Sequence, residues 1–209
     1  MKKINLLALG FLVTFGFSAC IKDGETFDPA AQYELEKPQI EAYAIANGLL
    51  QHHDIGGMRV YYELVTEGDP TSYQYKTTTN ANGQLDIEAP DIQVIFSGRL
   101  LTGDDPVHKN QKDEGDETSL ANRNIPPAWV YAFLPREIRL DKDGNPLNEP
   151  IKFGGVGGLT ADGLKTGSKI RFVSPSLLLF GNTSTSQIPA NSPMYYEIEV
   201  VNIEAPDSN

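Results

Sequence analysis

Met194-Tyr195-Tyr196-Glu197-Ile198-Glu199-Val200-Val201 decides the reading of this chain. Met194, Tyr196, Ile198 and Val200 fall on one side of an extended backbone, and Tyr195, Glu197, Glu199 and Val201 on the other. Successive side chains of a strand point to opposite faces, so the pattern predicts a strand with one face in a core and a charged face outside. Three other segments repeat it. Met58, Val60, Tyr62 and Leu64 alternate with Arg59, Tyr61 and Glu63; Ile92, Val94 and Phe96 with Gln93 and Ser97; Ile170 and Phe172 with Lys169 and Arg171. A sheet with one apolar face needs a second layer, so a helix between strands is expected to cover it.

The composition narrows the function. The 209 residues carry 28 acidic and 17 basic side chains, a formal charge of −11, which disfavours nucleic-acid binding because phosphate contacts need clustered Lys and Arg. A single cysteine excludes a disulfide framework within the chain, and with only three histidines no structural zinc site is expected. The 19 glycines and 14 prolines suit a β-protein with many turns. Asn80-Ala81-Asn82-Gly83 and Asp143-Gly144-Asn145-Pro146 are turn sequences.

The start of the chain reads as an address. Met1-Lys2-Lys3 is cationic, Ile4 to Phe17 is an uncharged and mostly apolar run, and Ser18-Ala19-Cys20 follows. The run is short for a spanning helix and fits a signal peptide over residues 1–19. It resembles the bacterial lipoprotein signal, in which small residues precede a lipidated cysteine; here the lone cysteine is Cys20. Residues 20–30 then form a lipidated tether. Ile21 in place of Asp after the cysteine implies the outer membrane by resemblance to lipoprotein sorting rules, and Ile21-Lys22-Asp23-Gly24-Glu25 is similar to the tags of surface lipoproteins in the Bacteroidetes. A periplasmic or surface face of the cell envelope is the expected location, with the lipid as the membrane contact.

Residues 31–56 predict a helix and linker. Ala42, Ala44 and Ala46 favour helix, Ile40, Tyr43 and Leu50 can share a face, Pro38 marks a candidate start and Asn47-Gly48 a stop. His52-His53 is expected in a loop, with the two side chains pointing apart and no metal. Residues 104–124 are polar and predict a mobile loop. Trp129, Tyr131 and Phe133 alternate with Val130, Ala132 and Leu134, which predicts a strand. Asp141-Lys142-Asp143-Gly144-Asn145 has Pro146 and Lys152 where a calcium loop needs Gly and Glu, so a β-turn is the better reading. Gly154-Gly155-Val156-Gly157-Gly158 lacks the Lys-Ser/Thr of a phosphate cradle, and nucleotide binding is not expected.

Four segments in order resemble the FKBP-type peptidyl-prolyl cis-trans isomerases. Tyr43-Ala44-Ile45-Ala46-Asn47-Gly48-Leu49, followed by the strand Val60–Leu64, is similar to the N-terminal segment of FKBP-like lipoproteins. Val94-Ile95-Phe96-Ser97-Gly98-Arg99-Leu100-Leu101-Thr102-Gly103 resembles V-x-Y-x-G-x-L-x-x-G. Leu164-Lys165-Thr166-Gly167-Ser168-Lys169-Ile170-Arg171 and the run on through Pro175 to Phe180-Gly181 resemble M-x-x-G-x-K-x-R-x-x-x-P-x-x-L-x-Y-G. Ile188-Pro189-Ala190-Asn191-Ser192 to Val200 resembles I-P-P-N-S-x-L-x-F-x-V-E-L. The resemblance covers residues 57–205, with an insertion at about 104–150. It implies an α+β fold: a twisted antiparallel sheet wrapped around a short helix, here with an N-terminal helix and the insertion.

The resemblance also implies a substrate pocket for a prolyl ring, formed by Phe96, Leu159, Phe180, Ile188 and Tyr196. Phe96 and Phe180 stand where the family has Tyr, and Tyr196 where it has Phe. The family's Phe-Asp pair after Gly103 reads Pro106-Val107, so a ring and a carboxylate are missing. The Trp ahead of Leu164 is missing too, and Val156-Gly157-Gly158-Leu159 stand there; Trp129, Tyr131 and Phe133 could cap the pocket from the insertion, with a packed strand as the favoured alternative. Amide rotation needs no acid, base, metal or cofactor, only a dry pocket and hydrogen bonds to the twisted carbonyl. Three lost polar contacts, each about 0.5–1.5 kcal/mol, predict catalysis tens to hundreds of times slower. The implied function is an isomerase assisting the folding of exported proteins, with proline-containing polypeptides as partners. The alternatives are a non-catalytic binding module or chaperone, and a surface lipoprotein using the fold as a scaffold.

Overall fold

The computed structural model describes residues 27–206. The signal peptide, Cys20 and residues 21–26 lie outside the described residues. In chain order the elements are α1 (Pro29–Ala46), β1 (Gln51–Ile55), β2 (Met58–Thr66), β3 (Thr77–Thr79), β4 (Leu85–Ile87), β5 (Asp91–Leu100), β6 (His108–Lys109), β7 (Asp116–Ser119), α2 (Pro127–Phe133), β8 (Ile138–Leu140), β9 (Pro146–Ile151), β10 (Lys169–Ser174) and β11 (Met194–Glu204). One antiparallel sheet runs β1-β2-β10-β11-β5-β6, with β7 also paired to β5. The hairpins β3–β4 and β8–β9 close through the two predicted turns.

The pairing registers set side chains into rows. Tyr62, Phe172, Tyr196 and Gly98 lie side by side across four strands, and Leu64, Ile170, Ile198 and Phe96 form the next row on the same face. This face is the core: Phe172, Tyr196, Ile170 and Ile198 are all buried. Packed against it is α2, which buries Ala128, Trp129, Ala132 and Phe133. The chain therefore forms the α+β architecture expected, an antiparallel sheet around a short helix. The residues of that helix are the ones whose alternation predicted a strand. Pro127 in the first turn is preset for helix, and Trp129 and Phe133 then share a face at i,i+4 spacing. Tyr75 ties down the helix end; its hydroxyl lies 2.7 Å from the carbonyl oxygens of both Phe133 and Leu164.

The opposite face was expected to be solvated, and at one end it is not. The row Tyr61, Val173, Tyr195 and Arg99 is covered by α1, and Ile40, Ala44 and Leu49 bury Val173 and Tyr195. This helix starts at Pro29, not Pro38. Asp28 caps it by accepting from the backbone N–H groups of Ala30 and Ala31, and Pro38 sits inside, on an exposed position. A proline there removes one helix hydrogen bond, and on the exposed side water replaces the lost partner. At the other end Leu49 N–H reaches back to the Ala44 carbonyl through Gly48 at φ +72°, so Leu49 enters the core and Leu50, expected there, is exposed.

His52 and His53 lie in β1 rather than a loop. His53 Nε2 donates to the Gly157 carbonyl (3.1 Å) and Nδ1 accepts from Arg136 (2.8 Å). Burial and the nearby guanidinium hold its pKa below the ordinary imidazole value. The 104–124 stretch, expected to be a mobile loop, contributes β6 and β7 to the sheet edge. Asp141 spends its carboxylate on the turn, accepting from the backbone of Asp143 and Asn145. The glycines at 157 and 158 serve packing: an added Cβ would collide with the carbonyls of Arg136 and Leu134. Among the described residues no helix is long and apolar enough to cross a membrane.

The register makes a paired prediction. Ile198→Asp places a carboxylate in the core row and should destabilise the domain by more than about 4 kcal/mol. Glu199→Gln breaks only an exposed ion pair to Lys169 (2.9 Å) and should change stability by less than about 1 kcal/mol. Urea denaturation of both variants checks this; equal losses would mean the register is wrong.

Candidate functional site

The site is built outward from Tyr196. Across the β11–β5 ladder it faces Gly98, and a Cβ at residue 98 would collide with the Tyr196 ring. Glycine weakens a strand interior, but here it gives the ring its place. On its other side the ring stacks on Phe172, with centroids 5.5 Å apart and planes 20° apart. From α2, Trp129 meets Tyr196 at 5.7 Å and Phe96 at 4.7 Å, both near-perpendicular. Such edge-to-face pairs are the favoured aromatic geometry.

A fifth ring, absent from the expected set, completes the cluster. His108 of β6 lies 4.8 Å from Phe96, 5.5 Å from Phe180, 5.8 Å from Tyr196 and 6.3 Å from Trp129. Its Nδ1 is 2.8 Å from the Tyr196 hydroxyl. Trp129 and Tyr196 form a buried floor, 2% and 0% exposed, while Phe96, His108 and Phe180 form a half-buried rim. Burial holds the His108 pKa below the ordinary imidazole value and pushes the Tyr196 phenol well above its own. Burial thus favours the uncharged form of both. Trp129 Nε1–H is buried without a hydrogen-bond partner among the described residues.

Phe180 reaches the rim from the loop after β10. Ser176 opens a single helical turn there, and Gly181 N–H closes it onto the Ser176 carbonyl (2.8 Å). The turn is capped from α1: the Glu36 carboxylate, 1% exposed, accepts from Ser176 N–H (2.8 Å), from the Ser176 hydroxyl and from Gln32 (2.7 Å). A buried carboxylate is tolerated only with such a set of donors. Glu36 thus fastens the N-terminal helix to the loop that carries Phe180.

Of the five pocket residues named from sequence, Phe96 and Tyr196 share Trp129 and His108 as neighbours, and Phe180 joins them through His108. Ile188 is buried in the same core at the base of the segment 182–187, its carbonyl accepting from Thr185 N–H. Leu159 is fully buried, with its N–H on the Tyr131 carbonyl of α2 (2.7 Å). The tryptophan of this cluster is Trp129, about thirty-five residues ahead of Leu164. Pro106-Val107 brings no ring to the cluster, and the next residue, His108, does. Pro126-Pro127 was the signal for the helix; nothing local signals that His108 faces inward.

The cluster is chemically a ring cage with a few polar atoms. It offers apolar walls, one unpartnered indole N–H and an imidazole–phenol pair. Among the described residues no group of three His, Cys, Asp or Glu side chains could hold a metal. A concavity of about 560 Å³ lies elsewhere, on the solvated sheet face lined by Glu63, Lys169, Arg171, Glu197 and Glu199. Arg171 pairs there with Glu63 and Lys169 with Glu199, and Glu197 accepts a hydrogen bond from the Tyr195 hydroxyl.

No family model matches the chain, and no curated protein matches it. Among solved structures, a peptidyl-prolyl cis-trans isomerase from Pseudomonas syringae pv. tomato is similar at 16% identity and a TM-score of 0.46, covering 87% of this chain and 99% of that one. FkpA from Escherichia coli is similar at 16% identity and 0.46, covering 84% of this chain and 64% of its own length. The N-terminal domain of FKBP42 from Arabidopsis thaliana is similar at 9% identity and 0.42, covering 69% and 86%.

Replacing Gly98 tests how the cage is built. Gly98→Ala should drive the Tyr196 ring off the ladder and cost about 1–3 kcal/mol, as overpacking does. The emission of Trp129, the one tryptophan of the chain, should shift with it. Unchanged melting and emission would contradict this account.

Proposed function

We propose that this chain is an FKBP-type prolyl-peptide-binding protein of the cell envelope with weak peptidyl-prolyl isomerase activity. The observation that carries the reading is the ring cage between sheet and helix. Its floor of Trp129 and Tyr196 is buried, its rim of Phe96 and Phe180 is half-exposed, and the Trp129 N–H, without a partner among the described residues, is a donor that a carbonyl oxygen could use. Rotation about a prolyl amide faces a barrier of about 18–20 kcal/mol from C–N double-bond character. A dry cage disfavours the polar planar amide, and a donor to the twisted carbonyl lowers the barrier further. The rim residues Phe96 and Phe180 carry no hydroxyl, so few donors remain. The substrates in this reading are exported polypeptides whose folding waits on proline.

Isomerisation of an X-Pro tetrapeptide by the full chain tests this. Wild type should act measurably above the uncatalysed rate. Phe180→Tyr adds a phenol to a ring at the rim and should raise the rate up to about fivefold, the worth of about 1 kcal/mol in the twisted state. No activity in either protein, with the fold intact, would leave the second reading: a binding module without catalysis. One observation favours that second reading, the His108 imidazole already seated among the four rings.

The envelope address rests on Ser18-Ala19-Cys20. One acyl chain holds a protein at a membrane only marginally, so a di- or triacylated Cys20 is the anchor in this reading. Cys20→Ser should release the protein from membrane fractions or leave its signal uncleaved. Unchanged membrane retention with normal processing would overturn the anchor.

A further inference from the structure

The five-membered ring of His108 lies across the half-buried rim of the cage. It bridges the two rim walls: Phe96 on β5 is 4.8 Å away and Phe180 on the loop after β10 is 5.5 Å away. Below it, Nδ1 is held at 2.8 Å by the Tyr196 hydroxyl. An imidazole and a pyrrolidine are both five-membered rings of similar size, so the cage has room for one of them at a time. We propose that His108 is the gate of this cage, closing it as a neutral imidazole and opening it when protonated. The ligand such a gate would admit, a prolyl ring, rests on the function proposed above; the gate itself does not.

The groups around the imidazole favour its neutral form. From β5, α2 and the loop after β10 come Phe96, Trp129 and Phe180, which carry no charge. From β11 comes Tyr196, whose phenol stays protonated because burial pushes its pKa up. On β6 itself the neighbour Lys109 is exposed, on the opposite side of the strand. No carboxylate is hydrogen-bonded to His108 among the described residues. Ring faces attract a cation and offset part of the burial cost, but the net effect on the imidazole is a lowered pKa. The sign follows. The closed form binds a proton less readily than a solvated histidine does. Falling pH, through and below the ordinary imidazole value of about 6.5, therefore favours the open form.

The strand that carries the gate is short, and Asn110 anchors its end, its side chain accepting from Phe96 N–H and donating to the Val94 carbonyl (2.8 Å). β6 has two residues, pairs only with β5, and follows an exposed run from Thr102 to Pro106. Its flanking backbone bonds are Val107 N–H to the Gly98 carbonyl (2.9 Å) and Asn110 N–H to the Phe96 carbonyl (3.3 Å). Swinging the His108 side chain outward breaks one side-chain hydrogen bond, the one to the Tyr196 hydroxyl, and none of these backbone bonds.

Trp129 is the single tryptophan, and it lies on the cage floor beneath His108. Acrylamide quenching of its fluorescence in the full chain therefore reads the gate directly. A gap of even half a pKa unit between closed and open forms multiplies the open population about threefold. Quenching should rise about that much or more from about pH 8 to about pH 5 in the wild type, with the circular dichroism unchanged. His108→Phe keeps a ring that cannot be charged, so quenching should stay low at both pH values. His108→Gln, a second uncharged variant should the first misfold, should likewise show no pH step. His108→Ala should be open at both. A wild type that stays shielded at low pH, or a pH step that persists in His108→Phe or His108→Gln, overturns the gate. Titration of His53 would give that second outcome. Binding of an X-Pro tetrapeptide to His108→Ala is measured on the same samples. A pH step that needs His108, with no peptide bound by His108→Ala, upholds the gate and overturns the prolyl reading instead.

Discussion

The Tyr196 ring and the missing side chain at residue 98 cannot be separated, and the rest of the structure depends on that pair. The ring stands over Gly98 on one side and stacks on Phe172 on the other, so one row of the sheet is fixed across β10, β11 and β5. A slip of one residue would turn Tyr196, Ile198 and Val200 outward and bring Glu197 and Glu199 into the core, which burial of charge forbids. With that row set, α2 has one place to rest its indole. Trp129 meets Tyr196 and Phe96 together, and the cage follows from the register.

The same register organises the far face. One row, Tyr61–Val173–Tyr195–Arg99, is apolar enough to need a cover, and α1 provides it. Arg99 lies over the Tyr195 ring at 4.4 Å and donates to the Tyr43 hydroxyl of α1 at 3.0 Å, so a charged residue takes part without leaving solvent. The next row, Glu63–Arg171–Glu197, is charged and stays open. From α1, Glu36 then caps the turn that holds Phe180. The helix outside the sheet and the ring inside it are thus linked by one buried carboxylate.

Strands were legible in the sequence because their information is local: period-two alternation survives whatever packs against them. Helices were harder for a physical reason. Trp129, Tyr131 and Phe133 satisfy both a two-residue period and, at positions 129 and 133, a four-residue one, and only Pro126-Pro127 decides between them. In α1, Pro38 reads as a start, yet an exposed proline in mid-helix is tolerated where water can take the freed carbonyl. Leu49 and Leu50 could not be told apart until Gly48 set the exit of the chain.

The cage itself was half legible. Phe96, Phe180 and Tyr196 were found because they stand on segments whose spacing resembles a known pattern. Trp129 was reached only as a candidate cap from the insertion and His108 not at all, since both come from the stretch where that pattern breaks. A polar run such as 104–124 gives no local reason to bury one histidine. The burial of His108 arises from β6 pairing with β5, a contact with no trace in composition or periodicity. Its consequence is chemical. Four aromatic rings without the imidazole would make a permanently apolar site. With it, the interior of the cage carries the one group whose ordinary pKa lies between those of carboxylates and phenols. A ring that can be charged is the simplest element by which an aromatic cage responds to pH.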